Sequence, residues 1–168
     1  TGDFDLISMS YDKISDTLSQ LIRTAFIAKP GHIFAVADFS AIEARVTAWL
    51  ANEQWRLDVF KSHGKIYEAS ASMMFGVPVD QITKGSDLRD KGKIAELALG
   101  YQGSLGALKK MGGEDMGLSE EEMKAIVKKW RAKSPSIVKL WDMVNRAAIR
   151  TIKTKRETRL PKFRNLIF

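Results

Sequence analysis

Cysteine is absent from this sequence, and histidine occurs only twice, at positions 32 and 63. A disulfide framework and a thiolate zinc site are thereby excluded, and a histidine-based metal cluster is disfavoured. No apolar run approaches the roughly 20 residues of a membrane span, and no signal peptide opens the chain. The expectation is a soluble intracellular protein with no membrane partner. Methionine is missing from position 1, and the last residues, Asn165-Leu166-Ile167-Phe168, are apolar. The reading is therefore of a piece of something longer.

What is present bounds the answer further. A chain of 168 residues, 45% hydrophobic, is about one ordinary domain with a real core. Four Trp and eight Phe argue against disorder. Charge is unevenly spread. Residues 1–60 hold 5 basic and 8 acidic side chains, whereas residues 61–168 hold 22 and 12. The segment 139–168 alone has 9 basic and 2 acidic side chains. Such a segment suggests a polyanion, most commonly nucleic acid, although a solvated helix face has the same composition.

Apolar spacing predicts a helix over 13–28, through Ile14, Leu18, Leu21, Ile22 and Ala25. Pro30-Gly31 signals a turn, and Ile33–Ala37 reads as a short buried strand. A helix is expected from Ser40, capped by Ser40 and Glu43, with Ile42, Val46, Trp49 and Leu50 as its apolar stripe. Further helices are expected at 55–62, at 66–75 (closed by Gly76 and Pro78), and from 87 to about 101. Ser119 and Glu122 form a second capping box, with Leu118 and Met123 as its staple. The helix they open carries Ile126, Val127 and Trp130 on one face, until Pro135 restarts it. The tail from Leu160 reads as a strand. The fold class is α+β, predominantly helical, with one or two strands.

Two stretches carry the chemistry. In Ala37-Asp38-Phe39-Ser40-Ala41-Ile42-Glu43-Ala44-Arg45-Val46, a carboxylate emerges where the expected strand meets a helix. Asp38 reads either as a group stabilised by that helix N-terminus or as a hard-metal ligand of the kind Mg²⁺ favours. Glu43 is explained equally by capping. In the second stretch, Arg89, Lys93, Leu97 and Tyr101 recur every fourth residue, a slowly winding stripe about 18 Å long. Its two cations suit a phosphate, and its tyrosine suits stacking on a base. A solvated helix end accounts for the same residues.

Together these stretches resemble the family-A (polymerase-I-like) DNA polymerases, of phage or prophage type. The first resembles motif A, Asp-Tyr-Ser-Gln-Ile-Glu-Leu-Arg, with Phe39, Ala41 and Ala44 as departures. The second resembles motif B, Arg-x-x-x-Lys-x-x-x-Phe-x-x-x-Tyr-Gly, with Leu97 and Gln102 as departures. Ile22–Ala28 is similar to the family's lead-in to motif A, and Ile66–Pro78 to its helix between the motifs, with Tyr67 where many members carry His. The likeness covers roughly residues 18–150.

The resemblance implies a template-directed polymerase that adds deoxynucleotides to a primer 3′-hydroxyl by two-metal phosphoryl transfer. Asp38 would be one of two metal-holding aspartates of the palm, assisted by the Phe39 carbonyl, with two Mg²⁺ ions in the complete enzyme. Glu43 would pack near the sugar. Arg89 and Lys93 would bind the triphosphate, with Tyr67 in place of the usual His. Leu97 would lie under the sugar or base, and Tyr101 near the templating base. Residues 1–50 would be partial palm, 51–134 fingers with the motif B helix, and 135–168 the return toward the palm. DNA template-primer and deoxynucleoside triphosphates would be the partners, in the cytoplasm of a bacterial host. The family's His-Asp-Glu motif, which brings the second aspartate, is absent from this sequence, so the isolated chain is expected to be inactive. Palm surface left uncovered would favour a non-physiological dimer. The alternative from another class is a non-catalytic helical nucleic-acid-binding module, supported by the basic C-terminal segment.

Overall fold

The computed structural model describes residues 9–10 and 13–168. The chain divides into two compact units, Thr1–Phe39 and Ser40–Phe168.

In the first unit, α1 (Ile14–Leu21) runs into a 3₁₀ turn, Ile22–Ala25. The helix expected over 13–28 is shorter: Ile14, Leu18 and Leu21 lie on it, Ile22 and Ala25 fall in the 3₁₀ turn, and none of these residues is buried. Pro30-Gly31 makes the predicted turn: His32 N–H donates to the Lys29 carbonyl at 2.9 Å, and Gly31 takes φ +77°. The strand expected at Ile33–Ala37 is not formed. A strand needs a neighbour for its N–H and C=O groups, and among the described residues none pairs with this run. Ile33 and Val36 are each 91% exposed.

The second unit is a helical assembly. It comprises α2 (Ile42–Ala51), α3 (Gln54–Ser62), α4 (Ile66–Phe75), α5 (Asp87–Leu99), α6 (Leu105–Lys110), α7 (Glu120–Lys133) and α8 (Pro135–Thr154). A small antiparallel hairpin follows, β1 (Arg159–Leu160) with β2 (Leu166–Ile167), in register Arg159↔Ile167 and Leu160↔Leu166. The helix-dominated α+β class is borne out, but the tail expected as one strand from Leu160 folds back as two two-residue strands around a 3₁₀ turn, Pro161–Phe163.

Several boundaries follow from local chemistry. Gly76 closes α4 at φ +75°, a conformation that costs glycine little. The Ser86 hydroxyl caps α5 by accepting from Arg89 N–H at 3.3 Å, while Asp87 and Asp90 complement the positive end of the helix. At α7 the capping box is complete, and Leu118 and Met123 are both buried. Pro135 takes the first turn of α8, where its missing N–H is no loss.

The capping box expected at Ser40 and Glu43 does not form. Ala41 occupies the N-cap position of α2 in the left-handed region, at φ +49°, and no side chain caps the helix. The Ser40 carbonyl accepts from Arg45 Nε at 2.9 Å instead. The buried face of α2 also differs from expectation. Ala48 and Ala51 are buried, while Ile42, Val46 and Trp49 are 43–50% exposed. The helix presents its small residues to the interior, where α8 packs against it. The Trp49 ring carries the Arg164 guanidinium, 4.9 Å from its centroid.

The core gathers residues from α4 to α8 and the hairpin, including Met74, Leu99, Met123, Trp130, Ile137 and Phe163. Trp130 stacks on Trp141 with centroids 5.8 Å apart. The most extensively packed helix pair is α4 with α5, and Gly92 makes that possible. A Cβ there would lie 2.2 Å from the Tyr67 carbonyl oxygen and 3.0 Å from Ala71 Cβ. Any larger residue would force the helices apart.

Candidate nucleotide-binding site

A cleft in the second unit is lined by Glu43, Ala44 and Thr47 of α2, Tyr67 of α4, Glu96 and Leu97 of α5, and Tyr101 just beyond. Of the residues singled out from sequence, it brings together Glu43, Tyr67, Leu97 and Tyr101. Arg89 joins through Tyr67: its guanidinium lies 5.5 Å from the centroid of that ring. Lys93 is exposed one turn further along α5, and it forms no ion pair with the described residues. Asp38 and Phe39 belong to the first unit, where both are exposed.

The four-residue stripe is helical only as far as Leu97. α5 ends at Leu99, Gly100 caps it, and Tyr101 stands in a turn, 67% exposed. Gln102 then takes φ +64°. The helix expected to about 101 therefore ends two residues before its tyrosine, and the chain turns where Tyr101 reaches the cleft. Gly103 makes the turn compact, since a Cβ there would lie 1.8 Å from the Ala98 carbonyl oxygen.

Arg89 is held in place. Its Nε donates to Glu68 Oε1 at 2.9 Å, and Nη1 lies 3.8 Å from Asp90 Oδ1. Its side chain stays 20% exposed, against 11% for Glu68. One edge of the guanidinium is thus committed to α4, and donors remain for an incoming anion. Burial pushes the Tyr67 phenol above its ordinary value. Glu96 acts in the same direction, Arg89 opposes, and Glu43 and Glu68 raise it further. Tyr67 is consequently a neutral hydroxyl at physiological pH, able to donate a hydrogen bond to an anionic oxygen.

Beneath the cleft lies a polar network with no counterpart in the sequence reading. Arg56 and Glu96 form a buried bidentate pair, with Nη2 to Oε1 at 2.9 Å and Nη1 to Oε2. Glu96 Oε1 also accepts from Trp130 Nε1 at 2.8 Å and from the Ser70 hydroxyl. Arg56 Nη2 donates to Ser134 Oγ at 3.1 Å. Its guanidinium lies between the rings of Trp55 and Trp130, at 4.6 and 4.7 Å. Glu53 Oε2, also buried, accepts from Ser136 and Ile137 N–H at 2.8 and 3.3 Å, capping α8 from outside the helix. One signal for this network stood in the sequence. Glu96 sits among Ala95, Leu97, Ala98 and Leu99, and a carboxylate in so apolar a run requires a partner.

A phenol, a carboxylate and an apolar side chain around one cleft, with the Arg89 cation against the phenol, suit a ligand that is anionic at one end and ring-bearing at the other. That is the chemistry of a nucleotide.

The chain belongs to DNA polymerase family A, whose family model matches residues 8–165. It is 57% identical over 159 residues to a DNA polymerase of Bacillus phage SP02, covering 95% of this chain and 24% of the relative. It is 32% identical to DNA polymerase I of Pseudomonas aeruginosa over 70% of this chain and 12% of the relative. For the thermostable DNA polymerase I of Thermus aquaticus the identity is 31%, over 71% of this chain and 14% of the relative. The chain thus spans a quarter or less of the length of these relatives.

Proposed function

We propose that this chain is the nucleotide-binding segment of a DNA polymerase that extends a primer on a DNA template with deoxynucleoside triphosphates. The observation that carries the reading is the cleft in which Glu43, Tyr67, Leu97 and Tyr101 meet beside Arg89. Its support is family membership, with the two motifs in the family's order.

In this reading Arg89 and Lys93 take the triphosphate, one by planar pairing and the other as a point charge. The Tyr67 hydroxyl donates to a phosphate oxygen. Leu97 offers an apolar surface to the sugar or base, Glu43 borders the sugar, and Tyr101 stands where the templating base arrives. Residues 51–134 would form the fingers, with partial palm before them and a return toward the palm after them.

The family implies divalent metal, and two Mg²⁺ ions are proposed for the complete enzyme. When bound, they would stabilise charge on the attacking and leaving oxygens of the transferred phosphoryl group. The exposed Asp38 carboxylate suits a hard cation, and the Phe39 carbonyl is a second oxygen beside it. Among the described residues, however, no group of three or more His, Cys, Asp or Glu side chains could hold a metal ion. Asp38 would supply one ligand, and the second aspartate would come from the family's His-Asp-Glu motif, which this sequence lacks. No helix among the described residues is long and apolar enough to cross a membrane, and the host cytoplasm is the proposed location. The exposed Ile42, Val46 and Trp49 of α2 would favour self-association of the isolated segment.

Primer extension tests the reading in two parts. The isolated chain with Mg²⁺ is expected to extend nothing, and robust extension would overturn the incomplete metal site. In the polymerase containing the segment, Arg89→Ala and Lys93→Ala should each raise the KM for deoxynucleotide at least tenfold. An unchanged KM in both variants would remove them from the triphosphate site.

A further inference from the structure

Consecutive residues of α7 grip α5 and the turn that follows it. Trp130 Nε1 donates to Glu96 Oε1 at 2.8 Å, and Arg131 Nη2 donates to the Gly103 carbonyl at 3.0 Å. Gly103 is already confined. A Cβ there would lie 1.8 Å from the Ala98 carbonyl oxygen, near the end of α5, and 2.9 Å from Ala107 Cβ on α6. The guanidinium thus holds a third side of a glycine wedged between two helices. Two residues earlier stands Tyr101, and between them Gln102 takes the left-handed region. At the other end of the turn, Gly100 N–H donates to the Glu96 carbonyl at 3.0 Å. The turn from Gly100 to Gly103 is therefore fixed at both ends. Tyr101 is 67% exposed, so its ring is aimed at the cleft by the turn and not by packing of its own.

Arg131 is not placed where it serves stability best. Its Nε is buried and has no hydrogen-bond partner among the described residues, which leaves the Gly103 bond as the only one its guanidinium makes with them. A buried donor without an acceptor destabilises a fold, and an apolar side chain of the same length would avoid that cost. What the arginine adds is the hold on Gly103. Arg131 does not itself line the cleft, so it acts on the cleft through the turn.

We propose that Arg131 is a positioning residue, which sets the Gly100–Gly103 turn and through it the direction of Tyr101 at the cleft. Its consequence for nucleotide selection rests on the nucleotide reading above, in which Tyr101 meets the templating base. The placement of the ring does not.

The direct test is fluorine NMR of the 168-residue chain carrying fluorotyrosine. Tyr101→Phe assigns the Tyr101 resonance, and Tyr67 on α4 is the internal reference. Arg131→Met keeps the length of the side chain and removes its donors. It should shift or broaden the Tyr101 resonance while leaving that of Tyr67 in place and the melting temperature unchanged or raised. The bond uses a single Nη, so a lysine donor can serve it, and Arg131→Lys should keep the Tyr101 resonance near its original position. Should Arg131→Met fail to fold, Arg131→Gln repeats the measurement, since its amide nitrogen ends about where the unpaired Nε lies. An unmoved Tyr101 resonance in the variant lacking the bond would overturn the proposal. Equal changes at Tyr67 and Tyr101 would mean a general loosening and would overturn it too.

In the polymerase containing the segment, discrimination is the ratio of kcat/KM for the correct nucleotide to that for a mismatched one. Arg131→Met should lower it at least fivefold, with Arg131→Lys close to the unaltered enzyme. Tyr101→Ala should lower it as well, and adding Arg131→Met to that variant should take it no further. Additive losses would show that Arg131 acts elsewhere and would overturn the proposal. A moved Tyr101 resonance with discrimination unchanged in both Arg131→Met and Tyr101→Ala would uphold the positioning and instead remove Tyr101 from the templating base.

Discussion

Arg89 Nε donates to Glu68 Oε1 at 2.9 Å, so the first cation of α5 is positioned by a carboxylate on α4. The same guanidinium faces the ring of Tyr67, the residue before Glu68. One turn of α4 thus sets both the direction of the cation and the phenol next to it. Glu68→Gln keeps the side chain's shape but weakens the charge-assisted bond. In the polymerase containing the segment, the expected result is a several-fold rise in the KM for deoxynucleotide with a smaller change in kcat. Steady-state primer extension separates the two. Equal falls in kcat and kcat/KM with KM constant would place Glu68 in another role.

The separation of α4 and α5 depends on Gly92. Gly92→Ala should destabilise the fold by about 1–3 kcal/mol, the usual range for overpacking, because the new methyl would meet the Tyr67 carbonyl oxygen. Gly106 is the control: it lies within α6 with nothing within 4 Å of its virtual Cβ. Gly106→Ala should be neutral or stabilising by about 0.4–1 kcal/mol. Denaturant unfolding of the two variants measures both, and similar midpoints would contradict the close approach.

The Arg56–Glu96 pair has side chains only 1% and 2% exposed. Removing one partner leaves the other charged, buried and unpaired. Glu96→Ala should therefore cost about 3–5 kcal/mol. A paired apolar replacement of both residues should recover much of that loss. A double-mutant cycle by thermal or chemical unfolding tests this, and additive losses would show that the two residues do not act as a unit.

Tyr67 makes stability sensitive to alkali. Its phenol is raised by burial first and by neighbouring carboxylates next, so the folded state holds the proton more tightly than the unfolded state does. Below the ordinary value of 10 the difference has no effect. As pH rises through and above 10 the unfolded chain releases the proton first, and stability falls. Tyr67→Phe should flatten that decline. Unfolding midpoints between pH 9 and 11 check it, and identical declines in the two proteins would refute the assignment.

Much of the second unit was legible because its signals are local. Gly76 with Pro78, and Ser119 with Glu122, act through the backbone within one turn, and those ends fall where expected. Pro135 likewise restarts the helix. Ile33–Ala37 was not legible, because an apolar run becomes a strand only when a neighbour completes its hydrogen bonds. The start of α2 was misread for a different reason: Ala41 adopts a left-handed conformation that a capping pattern does not encode. The stripe of Ile42, Val46 and Trp49 identified a helix correctly, yet packing chose the alanine face. In the cleft, Glu43, Tyr67 and Leu97 were found by motif. Glu68, Arg56 and Glu96 were not, since each acquires its role from a partner 21 to 40 residues away.

The proposed reading puts a metal-facing carboxylate at Asp38 and a nucleotide-facing helix at α5 of a family-A polymerase. Single-nucleotide incorporation by the polymerase containing the segment, with Asp38→Ala, tests it most directly. Loss of extension by several orders of magnitude with an unchanged melting temperature is expected, because the Asp38 side chain is exposed. Extension retained within tenfold of the unaltered enzyme would contradict it and remove Asp38 from the metal site.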